Sequence, residues 1–340
     1  MVGQIIWKII FIKKKELNNS FFCCDNLDEV NHMKYIQKDH LKISRIGLGC
    51  MRIGEKTVDE VEMLVKTALD NGINFFDHAD IYGNGNSEKL FGEVLKRHPD
   101  WRKHMVIQTK CGVRRATNTN YYDFSKEYII KSVDGSLKRL GVHYIDILLL
   151  HRPDLLMDPK EVADAFNTLY ESGKVKYFGV SNMNSMQMEL LQKHCKQKIM
   201  FNQLQFNPVT SSMLTSSVFM NRFDDEALDR DGSTLDYCRL HDITIQPYSI
   251  LQISKYLGSY LDNPEYPELN ALLQEYAEKY QVTKTAIVLA WILKHPADMV
   301  PLAGTTNPHH LIELCKGSEI ELTREEWYFI YHASIKKRLP

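Results

Sequence analysis

The stretch NFFDHADIYGNGNSEKLFG, Asn74–Gly92, brings three different physical demands together. An apolar run from Ile73 to Phe76 stops at Asp77, His78 and Asp80, and Tyr82 follows in the glycine-rich turn Tyr82-Gly83-Asn84-Gly85. This is the pattern of a buried strand that delivers acids to its own mouth. From Ser87 onward Leu90, Phe91, Val94 and Leu95 recur at helical spacing, so the unit reads as strand, polar loop, helix.

The same unit repeats along the chain. Eight apolar runs alternate with longer periodic segments: Arg45–Leu48, Ile73–Asp77, Met105–Lys110, Ile145–Leu150, Val175–Ser181, Ile199–Leu204, Ile243–Tyr248 and Met299–Ala303. Runs such as IDILLL show little polar alternation, which suits parallel strands covered on both faces. Between them, Ile129, Val133, Leu137 and Leu140 recur at helical steps with Gly141 as the stop. Val162, Ala165, Phe166, Leu169 and Tyr170 form a second stripe closed by Gly173. Thr283–Lys294 stops before Pro296, and Asn307-Pro308 is a cap followed by proline at the first helical position. Eight alternations in roughly 270 residues predict an α/β fold, a closed (β/α)8 TIM barrel, over an open doubly wound sheet. Tyr35–Ile43 falls outside the repeat and predicts an N-terminal hairpin that plugs the barrel. Long loops follow strand 6 (Thr210–Gly232) and strand 7 (Ile250–Pro267), and LTREEWYFIYHA predicts an extra C-terminal helix with a capping box from Thr323 to Glu326.

The whole chain has 340 residues, 44% hydrophobic and 25% charged, enough to bury one barrel-sized core. Its 42 Lys and Arg against 43 Asp and Glu give a formal charge of -1, so no global field favours nucleic acid or an anionic membrane. The seven cysteines, at 23, 24, 50, 111, 195, 238 and 315, are odd in number and lack C-x-x-C spacing. That argues against a disulfide framework and a zinc site and suits a reducing, cytoplasmic compartment. Residues 1–32 differ from the rest: MVGQIIWKIIFI, then Lys13-Lys14-Lys15, then a polar run to His32. The apolar part is too short to span a bilayer and lacks the order of a signal peptide. It reads as a disordered or loosely docked extension, or as translated upstream sequence before Met33, in preference to a membrane anchor. Residues 33–340 then form the barrel.

Barrels of this kind carry their sites at the carboxyl ends of the strands, and the polar residues fall there. Asp77 ends the second strand with Tyr82 in its loop, Lys110 the third, His151 the fourth, Ser181-Asn182 the fifth, Gln203 the sixth and Tyr248 the seventh; Gly304-Thr305-Thr306-Asn307 follows the eighth. Each has a plainer reading. Asp77 suits a cap, Lys110 a solvated charge, His151 a core histidine bonded to backbone, Tyr82 and Tyr248 packing, and Ser181-Asn182 and Asn307 helix caps. For Asp77, Tyr82, Lys110 and His151 alone, four such accidents would have to land on one face.

These residues carry a resemblance to the aldo-keto reductases, closest to the bacterial-type group with a Phe-Phe-Asp-His-Ala-Asp strand. NFFDHADIYG, LAWILKHP and GTTNP occur in family order, and the resemblance spans about residues 33–340. It implies a catalytic tetrad of Asp77, Tyr82, Lys110 and His151. It also implies a cofactor site in which Ser181, Asn182 and Gln203 hold the nicotinamide carboxamide and Tyr248, next to Ser249, stacks on the ring. Gly304, Thr305, Thr306, Asn307 and His310 match the segment for the 2′-phosphate side of NADPH, where a loop and helix N-terminus make an anion site. Many relatives carry arginine at His310 and some lysine at Gly304, so NADP is preferred with NAD as the alternative.

The chemistry agrees. A tyrosine with a pKa of about 10 is a poor acid at neutral pH, and a nearby ammonium lowers that value. Asp77 would hold Lys110 charged and aimed, and a neutral His151 would bond the carbonyl oxygen. Tyr82 then protonates the oxygen of an aldehyde or ketone while hydride from a nicotinamide reaches its carbon. The expected partner is a small carbonyl compound, with no nucleic acid or membrane. A second reading is a regulatory nucleotide-binding subunit on the same fold, like potassium channel beta subunits; a third keeps the barrel with a non-redox reaction. Arg152, beside His151, reads as a structural salt bridge ahead of a site for a carboxylate or phosphate. Oligomeric state leaves no signal in the sequence.

Overall fold

A computed structural model of the chain describes residues 33–115, 120–218, 225, 232–254 and 256–336. The expected extension at 1–32 and the centre of the loop after strand 6 lie outside the described residues. Eight parallel strands form the barrel: β1 Gly47–Gly49, β2 Phe75–Asp77, β3 Val106–Cys111, β4 Ile145–Leu150, β5 Val175–Ser181, β6 Ile199–Gln205, β7 Thr244–Tyr248 and β8 Leu302–Ala303. Their order is β7-β6-β5-β4-β3-β2-β1-β8. Leu302 and Ala303 pair with Gly47 and Leu48. The Val300 N–H donates to the Ile245 carbonyl at 2.9 Å, which ties the start of the last strand to β7 and brings the ends of the sheet together. The predicted fold is therefore the one observed.

Helices α1 Val58–Asp70, α2 Asn86–Arg97, α3 Lys126–Leu140, α4 Pro159–Glu171 and α5 Ser185–Gln192 follow the first five strands. The chain continues with α6 Ser212–Val218, α7 Thr234–Leu240, α8 Pro267–Tyr280, α9 Lys284–Lys294, α10 Pro308–Cys315 and α11 Arg324–Ile335. Local chemistry sets their ends. Ser125 caps α3 and Gly141 ends it in the left-handed region at φ 65°. Asn307 caps α10 with Pro308 at the first position, and Thr323 and Glu326 form the expected capping box on α11. On α4, Val162, Ala165, Phe166 and Leu169 are buried, but Tyr170 is 54% exposed, so the stripe is narrower than its spacing suggests.

Side chains alternate across each strand, and this splits the core in two. Phe76, Ile107, Leu148, Leu150, Phe178 and Val180 face the helices. Phe75, Val106, Ile147, Leu149, Phe201 and Leu302 fill the bore. The predicted plug is the hairpin Tyr35–Lys38 and Leu41–Ser44, whose Ile36, Leu41 and Ile43 join the bore cluster. Burying each such side chain contributes about 1.5–3 kcal/mol. Gly179 leaves room inside: a Cβ there would stand 2.6 Å from the Phe201 carbonyl oxygen and 2.7 Å from a Leu149 methyl. The bore is a packed solid, so chemistry is confined to its open end.

Candidate active site

Strand parity decides which polar residues reach that end. Asp77 lies two residues beyond Phe75, Lys110 four beyond Val106, His151 two beyond Leu149 and Gln203 two beyond Phe201, so each continues an inward-facing row. His78 has the opposite parity. Its ring packs edge-on against Phe91 of α2 at 4.5 Å, and burial together with the Lys110 charge pushes its pKa down to about 3. Asp80 also lies away from the bore, beside Glu88 of α2 and Arg139 of α3. The strand end therefore delivers one acid to the mouth and sends the second outside the barrel.

Tyr82 is placed by the turn that follows. Gly83, Asn84 and Gly85 all have positive φ (57°, 55° and 86°), and a Cβ on Gly85 would meet the Arg139 side chain at 2.8 Å. That tight reversal swings the tyrosine back over the strand ends. The four candidate groups come together there. Lys110 Nζ stands 2.7 and 2.8 Å from the two Asp77 carboxylate oxygens and 2.7 Å from the His78 carbonyl, and donates to the Tyr82 hydroxyl at 3.0 Å. The His151 ring meets Tyr82 edge-on at 5.8 Å between centroids. Lys110 is fully buried and His151 Nδ1 is enclosed without a hydrogen-bond partner among the described residues. Neither the solvated lysine nor the backbone-bonded histidine describes them.

Burial and charge set the protonation states. Loss of water lowers the Lys110 pKa, but Asp77 and Tyr82 raise it more, so the ammonium persists. His151 is pushed well below its ordinary value by burial and then by Lys110 and Arg152, which keeps it neutral. For Tyr82 the expectation is corrected: burial raises the phenol more than the Lys110 ammonium lowers it, so the net direction is upward. A phenol held in its protonated form still suits a proton donor, with the ammonium offsetting part of the desolvation.

The cofactor candidates line the same mouth. Ser181 Oγ donates to the Gln203 carbonyl at 2.9 Å and accepts from Asn182 Nδ2 at 2.7 Å, while the Tyr248 hydroxyl donates to Asn182 Oδ1 at 2.9 Å. Asn182 and Ser249 both hold left-handed backbone, at φ 58° and 51°. After β8, Gly304 opens onto free space, Thr305 Oγ1 accepts the Asn307 N–H at 3.1 Å, Thr306 lies between them, and Asn307 caps α10. His310 is exposed in the first turn of that helix. Arg152 forms no ion pair among the described residues. Its nearest acid in sequence, Asp154, accepts the backbone N–H groups of Phe124 and Leu156, and the guanidinium lies 3.4 Å from the Tyr248 hydroxyl. Among the described residues Arg152 therefore has no salt-bridge partner.

The sequence profile described as the Aldo/keto reductase family matches residues 45–334. The chain belongs to that family. This aldo-keto reductase is 33% identical over 303 residues to the oxidoreductase YcsN of Bacillus subtilis, covering 87% of this chain and 95% of that one. It is 32% identical to the oxidoreductase YdhF of Escherichia coli, covering 88% and 96% of the two chains. It is 31% identical to the 6-dehydroglucose reductase of Agrobacterium fabrum, covering 88% and 97%. Among solved structures, the thermostable aldo-keto reductase Tm1743 in complex with the inhibitor epalrestat superposes with a TM-score of 0.71 at 25% identity, covering 88% of this chain and 100% of that one.

Two bore residues of this aldo-keto reductase escape the sequence reading. Gln108 and Gln246 are fully buried directly below the mouth and bonded to one another, and Gln108 also donates to Asp77. The available signal was parity: each sits two residues before a mouth residue, Lys110 or Tyr248, on the inward row of its strand.

Proposed function

We propose that this aldo-keto reductase reduces an aldehyde or ketone to an alcohol, with NADPH as hydride donor and Tyr82 as the general acid. One observation carries the reading: a buried ammonium, Lys110, bonds at once to Asp77 and to the Tyr82 hydroxyl at the open end of the bore. Reduced nicotinamide, when bound, supplies the hydride that none of these side chains can supply. The polar set Ser181, Asn182 and Gln203 fits its carboxamide, Tyr248 and Ser249 its ring, and Gly304–Asn307 with His310 its phosphate-bearing half. Among the described residues nothing donates to the Gln203 carboxamide oxygen, because its bonds run through Nε2; that oxygen suits an amide N–H from a ligand.

Within that frame the protein's own groups have separate tasks. His151, neutral, donates to the carbonyl oxygen and fixes its position. Tyr82 delivers the proton to that oxygen as charge develops on it, and Lys110 steadies the phenolate that remains. Asp77 keeps the ammonium charged and directed. The exposed Arg152 guanidinium beside this pocket favours carbonyl compounds that also carry a carboxylate or phosphate.

Fluorescence titration with NADPH and NADH, followed by oxidation of bound NADPH against a panel of aldehydes and ketones, tests the reading. In Tyr82→Phe, kcat should fall by about 100- to 10,000-fold while dinucleotide affinity holds, since a proton donor alone is lost. Parental turnover in that variant would remove Tyr82 from the mechanism. A regulatory subunit on the same fold would instead show tight cofactor with very slow turnover.

A further inference from the structure

We propose that Gln108 and Gln246 form an amide floor beneath Asp77 that keeps the proton on Lys110, making both glutamines positioning residues for the reaction proposed above. Strand register explains how they meet. Gln108 is the direct cross-strand neighbour of Asp77 on β3, and Gln246 is the direct neighbour of Gln203 on β7. All four side chains share the inward parity, so two neighbouring pairs face each other across the bore. Gln108 Nε2 donates to Asp77 Oδ1 at 2.6 Å and to Gln246 Oε1 at 2.8 Å, and Gln246 Nε2 returns a bond to Gln108 Oε1 at 2.9 Å. Gln203 Nε2 completes the ring, donating to Asp77 Oδ1 at 3.1 Å and to Gln246 Oε1 at 3.2 Å.

Below this floor the bore is mostly apolar, lined by Phe75, Ile147 and Phe201, and the polar group next down the Gln246 row is the neutral Thr244 hydroxyl, which forms no bond to Asp77. A buried Asp–Lys couple has two states: an ion pair, and a neutral pair in which the proton has passed to the acid. Amide N–H donors stabilise the charged carboxylate over the neutral acid, so they favour the ion pair. Only the ion pair gives Tyr82 an ammonium partner. The other titratable or charged groups around Lys110 are Cys50, His78, His151 and, further out, Arg152; Cys50 is a neutral thiol pushed up by burial, and both histidines are neutral. None of them replaces the amides as donors to Asp77 Oδ1. Gln246 also connects the acid side of the mouth to Gln203, which the proposed function places against the cofactor carboxamide.

The test uses Gln108→Met, Gln246→Met and the double variant. Replacing both halves of a buried amide pair by apolar groups of similar shape leaves fewer orphaned donors than replacing one, so the double variant guards against a simple failure to fold. Two readouts apply. In an ultraviolet difference titration of tyrosinate, with Tyr82→Phe in each background as the blank, the Tyr82 ionisation should move up by about one pH unit or more, equal to about a tenfold weaker phenolate. In turnover, kcat should fall by about tenfold or more, and the pH profile of kcat/KM should shift on its alkaline limb. Merely structural glutamines would lower the melting temperature and leave both the Tyr82 titration and the pH profile in place, which would overturn the proposal. The titration needs no substrate. Loss of carbonyl reduction by the parent protein would therefore count against the proposed function, while an unmoved Tyr82 titration would count against the amide floor.

Discussion

Asp77 and Asp80 stand three residues apart, and the barrel wall passes between their environments. Asp77 points into the bore, bonded to the Lys110 ammonium and to two glutamine amides. Asp80 sits between the wall and helices α2 and α3, where burial and the neighbouring Glu88 charge raise its pKa to about 7 despite Arg139 and Ser132 nearby. Glu88 itself is fully buried and satisfied, accepting from Thr109 at 2.5 Å and from Arg139 Nε at 2.7 Å. The inner acid has a cation to itself, whereas the outer one shares a cation that another carboxylate has already claimed. Residue type does not separate a candidate catalytic acid from a structural one here; the side of the wall does.

The largest effect expected from breaking this arrangement is on the inner pair. Lys110→Met leaves Asp77 with no cation in a site that excludes water, and loss of one partner of a buried pair costs about 3–5 kcal/mol. Urea denaturation at neutral pH should show that loss, together with loss of turnover. Adding Asp77→Asn should restore much of the stability and none of the activity, because the uncompensated charge is gone while the proton-transfer chain stays broken. If Lys110→Met were as stable as the parent, solvent would have to reach Asp77, and the sealed bore described above would be wrong.

The outer pair should respond less. The Arg139 side chain is 31% exposed, so part of what it supplies to Glu88 is replaced by water when it is removed. Arg139→Met should cost about 1–3 kcal/mol by the same urea measurement, below the inner pair because of that partial solvation. Its kcat should stay close to the parental value, since neither Glu88 nor Arg139 touches the bore. A collapse of kcat would mean that the wall transmits strain between the two sides.

Much of this was legible in the sequence. Eight apolar runs separated by periodic segments left one economical closure, and polar residues gathered at strand ends marked the mouth. What the sequence withheld has physical reasons. His78 and Asp80 look like further mouth residues because strand parity cannot be followed once the chain leaves the strand. Gln108 and Gln246 lie 138 residues apart, and an amide within one strand does not reveal which residue it will face across a bore. The Tyr82 direction depends on how thoroughly tertiary packing removes water, which outweighed the ammonium that the sequence did indicate. An arginine two residues before Asp154 suggests an ion pair from sequence, but Asp154 accepts the backbone N–H groups of Phe124 and Leu156 instead.

The smallest effect, and the most direct measure of the contrast between the two acids, is the pH dependence that Asp80 imposes. Its folded carboxyl holds a proton up to about 7, against an ordinary value of 3.8. Between those values the folded state binds more protons than the unfolded state, so this group's contribution to stability falls as pH rises through the window. Asp80→Asn removes the titration while keeping an acceptor oxygen. The neighbouring ionisable groups, Glu88, Arg139, Tyr128 and Cys111, remain to hold the background. The variant should therefore lose less stability than the parent between acid and neutral pH and should be more stable at neutral pH by on the order of 1 kcal/mol, discounted for partial solvent screening. Urea midpoints on both sides of the window measure it. A parent whose stability instead rises steadily with pH there, with no difference in Asp80→Asn, would mean that Asp80 is ionised like an ordinary surface acid, and that the wall does not divide the two carboxyls as described.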